Sequence, residues 1–141
     1  MTLKIVPVDP NHIQQLWPRV VGFIKSAVDK GTTEDTQNYN EHHIQQYLTN
    51  GQWLLLVAVD EQNEIHGAAT VSFMNYPLHR VAFVTAIGGK LISNPDTFDQ
   101  LKAICKHNGA TKIQGYGRAA IVKLWSRYGF EPRSTLIEIK I

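Results

Sequence analysis

The sequence predicts one α/β domain, of the α+β kind, with a mixed and mostly antiparallel twisted sheet flanked by about four helices. Apolar residues alternate or run unbroken in six short segments, the signature of strands, and recur at three- and four-residue spacing in four others, the signature of helices. Pro, Gly, Asn or Asp punctuates each change between the two patterns. The resulting order is β-α-α-β-β-β-α-β-α-β.

Leu3 to Val8 reads as the first strand. Asp9-Pro10 then supplies a helix start, with an Asp to cap free N–H groups and a Pro in the first turn. The stripe Ile13, Leu16, Trp17, Val20, Val21, Ile24 and Val28 makes one face of the first helix; Pro18 is expected to kink or restart it, and Gly31 closes it. Thr32 to Asn40 is a polar loop placed to contact substrate, and Glu41 to Leu48 is a second, short helix. Trp53 to Val59 is nearly all apolar, as a strand buried on both faces must be. Asp60 to Asn63 makes a hairpin into a third strand, Glu64 to Asn75, and Tyr76-Pro77-Leu78-His79 turns into a fourth, Arg80 to Ile87, which Gly88-Gly89 end. Asn94-Pro95-Asp96 opens a helix with the stripe Phe98, Leu101, Ile104 and Cys105, stopped at Asn108-Gly109. Thr111 to Gln114 is a short fifth strand. Ala119 to Tyr128 is a last helix with Ile121, Val122, Leu124 and Trp125 inward, and Ser134 to Ile141 is a closing strand.

A chain of 141 residues with 43% hydrophobic content suffices for one continuous core, so residues 1–141 are read as a single domain. Net charge is +2, too small to imply nucleic-acid binding. The charge is uneven: residues 1–99 carry six Lys/Arg against ten Asp/Glu, and residues 100–141 carry eight against two. A basic C-terminal third suits a phosphorylated ligand or an acidic partner, and equally a solvated surface. Cys105 is the one cysteine, so no internal disulfide forms, and its place in a helical stripe argues for a buried thiol. With no apolar N-terminal leader and no run of about 18 apolar residues, the expectation is a soluble protein without membrane attachment. His42-His43 is a poor metal pair, because neighbours on a helix point about 100° apart, and no metal site is expected.

The element order, together with Leu124-Trp125-Ser126-Arg127-Tyr128-Gly129-Phe130, resembles the GCN5-related N-acetyltransferases (GNAT), whose last helix commonly ends in Leu-Tyr-x-x-x-Gly-Phe. The length, Trp17-Pro18 and Gly115-Tyr116-Gly117-Arg118 also resemble small GNAT-like proteins of bacteriophages. The resemblance implies an acetyl group moved from acetyl-CoA to a small-molecule or protein amine, in the cytoplasm, or the host cytoplasm if phage-encoded. It implies that strands four and five splay apart and that pantetheine lies along Thr85, Ala86 and Ile87. The pyrophosphate then meets Gly88, Gly89 and Lys90 at a helix N-terminus, where free N–H groups favour an anion, and Arg118 is placed to grip phosphate.

The chain departs from the family pattern where chemistry is expected. Trp125 replaces the tyrosine that reprotonates the leaving thiolate, and an indole N–H transfers no proton near neutral pH. Arg118 replaces an Asn seven residues earlier, Leu91 and Ile92 stand in the phosphate loop, and Val81 to Ile87 has no carboxylate base. His79 is the nearest proton acceptor, and Tyr76 and Tyr116 are substitute acids if folding places them at the cleft, although a solvent-facing turn histidine is the simpler reading of the first. Whether the chain is an enzyme therefore stays open. The alternative is a catalytically silent GNAT-fold module that binds a host or virion protein. One closing strand leaves a sheet edge that a second subunit, in a homodimer, can complete.

Overall fold

The computed structural model describes residues 2–33 and 35–141. Its sheet has five strands in the order β1 (Lys4–Val8), β2 (Trp53–Val59), β3 (Ile65–Asn75), β4 (Arg80–Gly89), β5 (Lys112–Gly115). The first four pair antiparallel with their neighbours and β5 lies parallel to β4. Helices α1 (Ile13–Gly31) and α2 (Glu41–Thr49) cover one face, and α3 (Pro95–His107) covers the other.

Two apolar layers follow from strand alternation. Leu55 and Val57 point to α1 and α2, among Trp17, Val20, Ile24, Ile44 and Leu48; Leu56 and Ala58 point to α3, among Leu101 and Cys105. Each large aliphatic buried in these layers stabilises the fold by roughly 1.5–3 kcal/mol. Asn40 caps α2 through His42 N–H and His43 N–H, and the Asn40 N–H donates to His43 Nδ1, so His43 serves the helix start.

Several expectations need correction. Asp9 and Pro10 open a 3₁₀ turn, Pro10–His12, and α1 then runs unbroken through Pro18 to Gly31. The proline removes one N–H near the helix start, a loss outweighed by burial of Trp17 and Val20 on either side of it. Gly88 and Gly89 do not end β4 but continue its ladder, opposite Ala68 and Gly67. The last helix, α4, spans Ala119–Trp125 and tightens into a 3₁₀ turn, Ser126–Tyr128; Ile121 and Trp125 are half-buried, but Val122 and Leu124 face outward.

The largest correction concerns the closing strand. Ser134 to Ile141 pairs with no strand among the described residues, and Leu136, Ile137 and Ile139 are 69%, 87% and 85% exposed. Before it, Phe130 packs on Phe98 and Trp125 (ring centroids 5.7 and 4.9 Å), and near its end the exposed Lys140 Nζ lies 3.2 Å from Asp35 Oδ1. The tail thus crosses toward the α1–α2 loop instead of lying along β5. Glu34, in the loop predicted over Thr32 to Asn40, lies outside the described residues.

Candidate functional site

The site begins at a fork. β4 and β5 pair from Val81 with Lys112 to Val84 with Gly115, and β5 ends there. A Cβ on Gly115 would stand 3.4 Å from the Val84 carbonyl oxygen, so this glycine lets the strands meet closely just before they part. From Thr85 to Gly89, β4 has no strand on its outer side among the described residues, while Ala86 to Gly89 stay paired with β3 on the other, which leaves alternate backbone groups without a strand partner. The separation comes at Val84, immediately before the Thr85 to Ile87 edge that the resemblance implies.

A β-bulge sits at the fork. Val71 faces Val84 and Thr70 faces Ala86, so Thr85 is an extra residue without a partner. The insertion reverses the alternation: Ala82 and Val84 face α3, whereas Ala86 faces α1. Two threonines hold it. Thr85 Oγ1 donates to the Thr70 carbonyl (3.0 Å), so Thr70 Oγ1 must donate to Thr85 Oγ1 (2.7 Å), which satisfies a fully buried hydroxyl.

Tyr39 closes the fork from above. It lies in the α1–α2 loop, edge-on to Trp53 (5.2 Å), and its hydroxyl donates to the Thr85 carbonyl at 3.2 Å. Burial, and secondarily the nearby Tyr116 phenol, push its ionisation above the usual tyrosine range, so Tyr39 is a neutral hydroxyl at physiological pH. Tyr116 follows β5 directly, stands edge-on to Phe83 (5.2 Å) and is 76% exposed. The two phenols therefore face the same opening. The sequence reading missed Tyr39; an aromatic inside an otherwise polar loop was the available signal.

Of the expected site residues, the fold brings together Tyr116, Thr85, Ala86, Ile87, Gly88 and Gly89 at the fork, with Lys90 leading out of it. It leaves His79 elsewhere. His79 occupies the β3–β4 turn with Nδ1 3.1 Å from Thr111 Oγ1, six residues before Thr85, or roughly 20 Å along an extended strand. Arg118 flanks α4, exposed and without a side-chain capping bond.

The loop from Gly88 to Asn94 is built for packing. Gly88 lies against the Phe23 backbone of α1, Gly89 takes φ 69° beside His66, and Leu91 is fully buried with Ile92 packed beside it in the α3 layer. Leu91 and Ile92 thus point away from the loop's open side. At the α3 start, the Ser93 and Asn94 N–H groups donate to Thr97 Oγ1 (3.0 and 3.2 Å), and the Thr97 N–H donates to Asn94 Oδ1 (2.9 Å). Pro95 has no N–H, and Asp96 adds negative charge in the first turn. The open β4 edge fits an extended acyl-pantetheine arm, but the helix start is filled by its own side chains and does not fit a diphosphate. Lys90, which follows β4, and Arg118, before α4, form no ion pair among the described residues.

Among the described residues no three His, Cys, Asp or Glu side chains gather in a metal-binding arrangement. Among the described residues no helix is long and apolar enough to cross a membrane.

No protein-family profile and no curated protein matches the chain. Solved structures do match. A predicted acetyltransferase from Clostridium acetobutylicum, solved with acetyl-CoA, superposes with a TM-score of 0.66 at 18% identity, over 99% of this chain and 96% of that one. An aminoglycoside acetyltransferase from an uncultured soil metagenomic sample, in complex with sisomicin, gives 0.68 at 12% identity over 99% and 96%. A second soil metagenomic aminoglycoside acetyltransferase gives 0.69 at 14% identity over 100% and 99%. At such identities the likeness establishes the fold, a GNAT-like sheet with flanking helices over the whole chain.

Proposed function

We propose that the chain is an N-acyltransferase that moves an acetyl group from acetyl-CoA to an amine. The observation that carries this reading is the open edge of β4 from Thr85 to Gly89, created where β5 stops at Gly115. An extended arm bearing amides can add to such an edge as a strand does. That acetyltransferases share the fold, one of them holding acetyl-CoA and one an aminoglycoside, supports the choice of substrates.

In this reading the thioester lies beside the Thr85 bulge, where open backbone N–H groups polarise its carbonyl and stabilise the oxyanion as the amine attacks. The C–N bond forms, the C–S bond breaks, and the amine's proton passes to water, because strand four supplies no carboxylate. The thiolate takes a proton from Tyr116 or Tyr39, the hydroxyls that face the opening. Trp125 takes no part, since its indole packs on Phe130 at 4.9 Å. His79 is too far along β4 to act as base. Lys90 and Arg118 supply the positive charge for the diphosphate that the α3 start does not.

Incubation with radiolabelled acetyl-CoA and a panel of primary amines, including an aminoglycoside, a polyamine and a lysine peptide, tests the reading. Label appears on at least one amine, and Tyr116→Phe or Tyr39→Phe lowers kcat with little change in KM. The absence of both transfer and saturable acetyl-CoA binding at millimolar concentration overturns it. The filled α3 start favours one second reading, a silent module that binds a host or virion protein in the same fork. For that module acetyl-CoA gives no thermal shift.

A further inference from the structure

One row of side chains across the sheet is only half covered by helices. Trp53 pairs with Ser72, Ser72 with Phe83 and Phe83 with Gln114, so these residues line up from β2 to β5. Trp53 packs in the α1–α2 layer, whereas the neighbours of Ser72 and Phe83 along their strands, Val71, Phe73, Ala82 and Val84, pack in the α3 layer. Alternation therefore puts Trp53, Ser72 and Phe83 together on the α1–α2 face. All three are half-buried, so the row is not sealed.

Around the serine this row makes an aromatic box. Trp53 and Phe83 each stand one strand away from Ser72, whose short side chain does not fill the space between them. Tyr39 closes the end toward the fork, its ring edge-on to Trp53 at 5.2 Å and its hydroxyl on the Thr85 carbonyl at 3.2 Å. Tyr116 extends the opposite wall, edge-on to Phe83 at 5.2 Å. Neighbouring strands lie about 4.7–4.9 Å apart, within the roughly 4.5–7 Å at which aromatic rings pack. One flat ring above Ser72 thus meets Trp53 and Phe83 at once.

Charge narrows the ligand further. None of the five strands contains an Asp or a Glu. On either side of Tyr39 in sequence, Asp35 meets Lys140 Nζ at 3.2 Å and Glu41 lies 3.8 Å from His42 Nε2 at the start of α2. A polyamine or an aminoglycoside, with several ammonium groups, finds no carboxylate on this floor to pair with. A single amine on an apolar ring needs none, because aromatic faces attract its one positive charge. The reach also fits: Phe83 and Thr85 are two residues apart on β4, or roughly 7 Å along an extended strand, which a short carbon arm spans. We propose that the box over Ser72 receives the body of the acceptor, and that the acceptor is a primary amine carried on a flat aromatic ring. The reaction rests on the transferase reading above; the ring rests on the box alone.

The test has two readouts on the full chain. Backbone amide shifts are followed during titration with 2-phenylethylamine, and acetyl transfer from acetyl-CoA is compared for 2-phenylethylamine and spermidine. The expected result is saturable shifts at Tyr39, Trp53, Ser72 and Phe83, with kcat/KM at least tenfold higher for the aromatic amine. Ser72→Leu, which fills the box, weakens 2-phenylethylamine binding at least tenfold with an unchanged circular dichroism spectrum. Should that variant not fold, Phe83→Leu keeps the apolar volume, removes one ring and weakens binding severalfold. Shifts at the box without transfer to either amine uphold the box and refute the transferase reading alone. Transfer to spermidine as efficient as to 2-phenylethylamine, or shifts by the aromatic amine confined to another surface, overturn the inference and leave the transferase reading in place.

Discussion

Replacing Gly88 with alanine tests whether the glycine pair serves packing or phosphate. Gly88 is in β4, and a Cβ there would run into the Phe23 carbonyl oxygen, with the Phe23 carbonyl carbon at 3.0 Å and its Cα at 3.4 Å. All three atoms are backbone of α1, so no rotamer change relieves the clash. Carbon atoms settle about 3.5–4.0 Å apart, so α1 and β4 must separate by roughly 0.5–1 Å. Overpacking of a well-filled core costs about 1–3 kcal/mol, and a contact with backbone on both sides belongs at the upper end. Alanine returns up to about 1 kcal/mol by restricting the unfolded chain, leaving a net loss of about 2–3 kcal/mol. At roughly 3–4 °C per kcal/mol for a chain of this length, Tm falls by about 6–12 °C. Thermal and urea melts without ligand measure it. Gly31→Ala, at a position with nothing within 4 Å, is the control and stays within about 0.5 kcal/mol of the parent. If Gly88→Ala is as stable as the parent and impaired only in binding acetyl-CoA, the packing argument is wrong.

Tyr39→Phe removes the hydroxyl bound to the Thr85 carbonyl and costs about 1 kcal/mol at neutral pH, read from urea midpoints. Because burial raises the ionisation of Tyr39, the parent loses stability as pH climbs past about 10, where only the unfolded phenol ionises; the variant shows a shallower alkaline decline. At the acid end, His66 and then the Glu64 N–H hold the Asp60 carboxyl below its usual range. Its stabilisation is therefore present above about pH 4 and lost as pH falls through the lower folded value, so Asp60→Asn flattens the acid limb of melts run between about pH 2 and 6. Cys105 is 2% exposed and burial pushes its thiol up to about 11, so iodoacetamide at about pH 8 labels the native chain at least a hundredfold more slowly than the unfolded one. Labelling at equal rates contradicts the packing of α3.

Most of the fold was legible because its signals are local. Trp53–Val59 matched the unbroken apolar run residue for residue, and Asn94-Pro95 and Asn108-Gly109 bracketed α3 as capping chemistry requires. The errors came from contacts distant in sequence. Gly88 and Gly89 read as a terminator, yet their ladder with β3 and the approach of Phe23 keep them in the strand. Leu136 to Ile141 has a good strand pattern, but a strand needs a neighbour, and nothing in a pattern says whether that neighbour is in the same chain. The site was half legible. The resemblance put Thr85 to Ile87 on the strand-four edge, which lies just beyond the end of β5, whereas Tyr39 and the Thr70–Thr85 pair depend on residues 46 and 15 positions apart that only the fold brings together.

Backbone amide chemical shifts recorded during titration with acetyl-CoA test the central claim most directly, since they report on each edge residue separately. The account predicts saturable shifts concentrated at Thr85–Gly89 and Gly115–Tyr116, with little change across β1 and β2. Shifts confined to another surface, or none at millimolar acetyl-CoA, would contradict it.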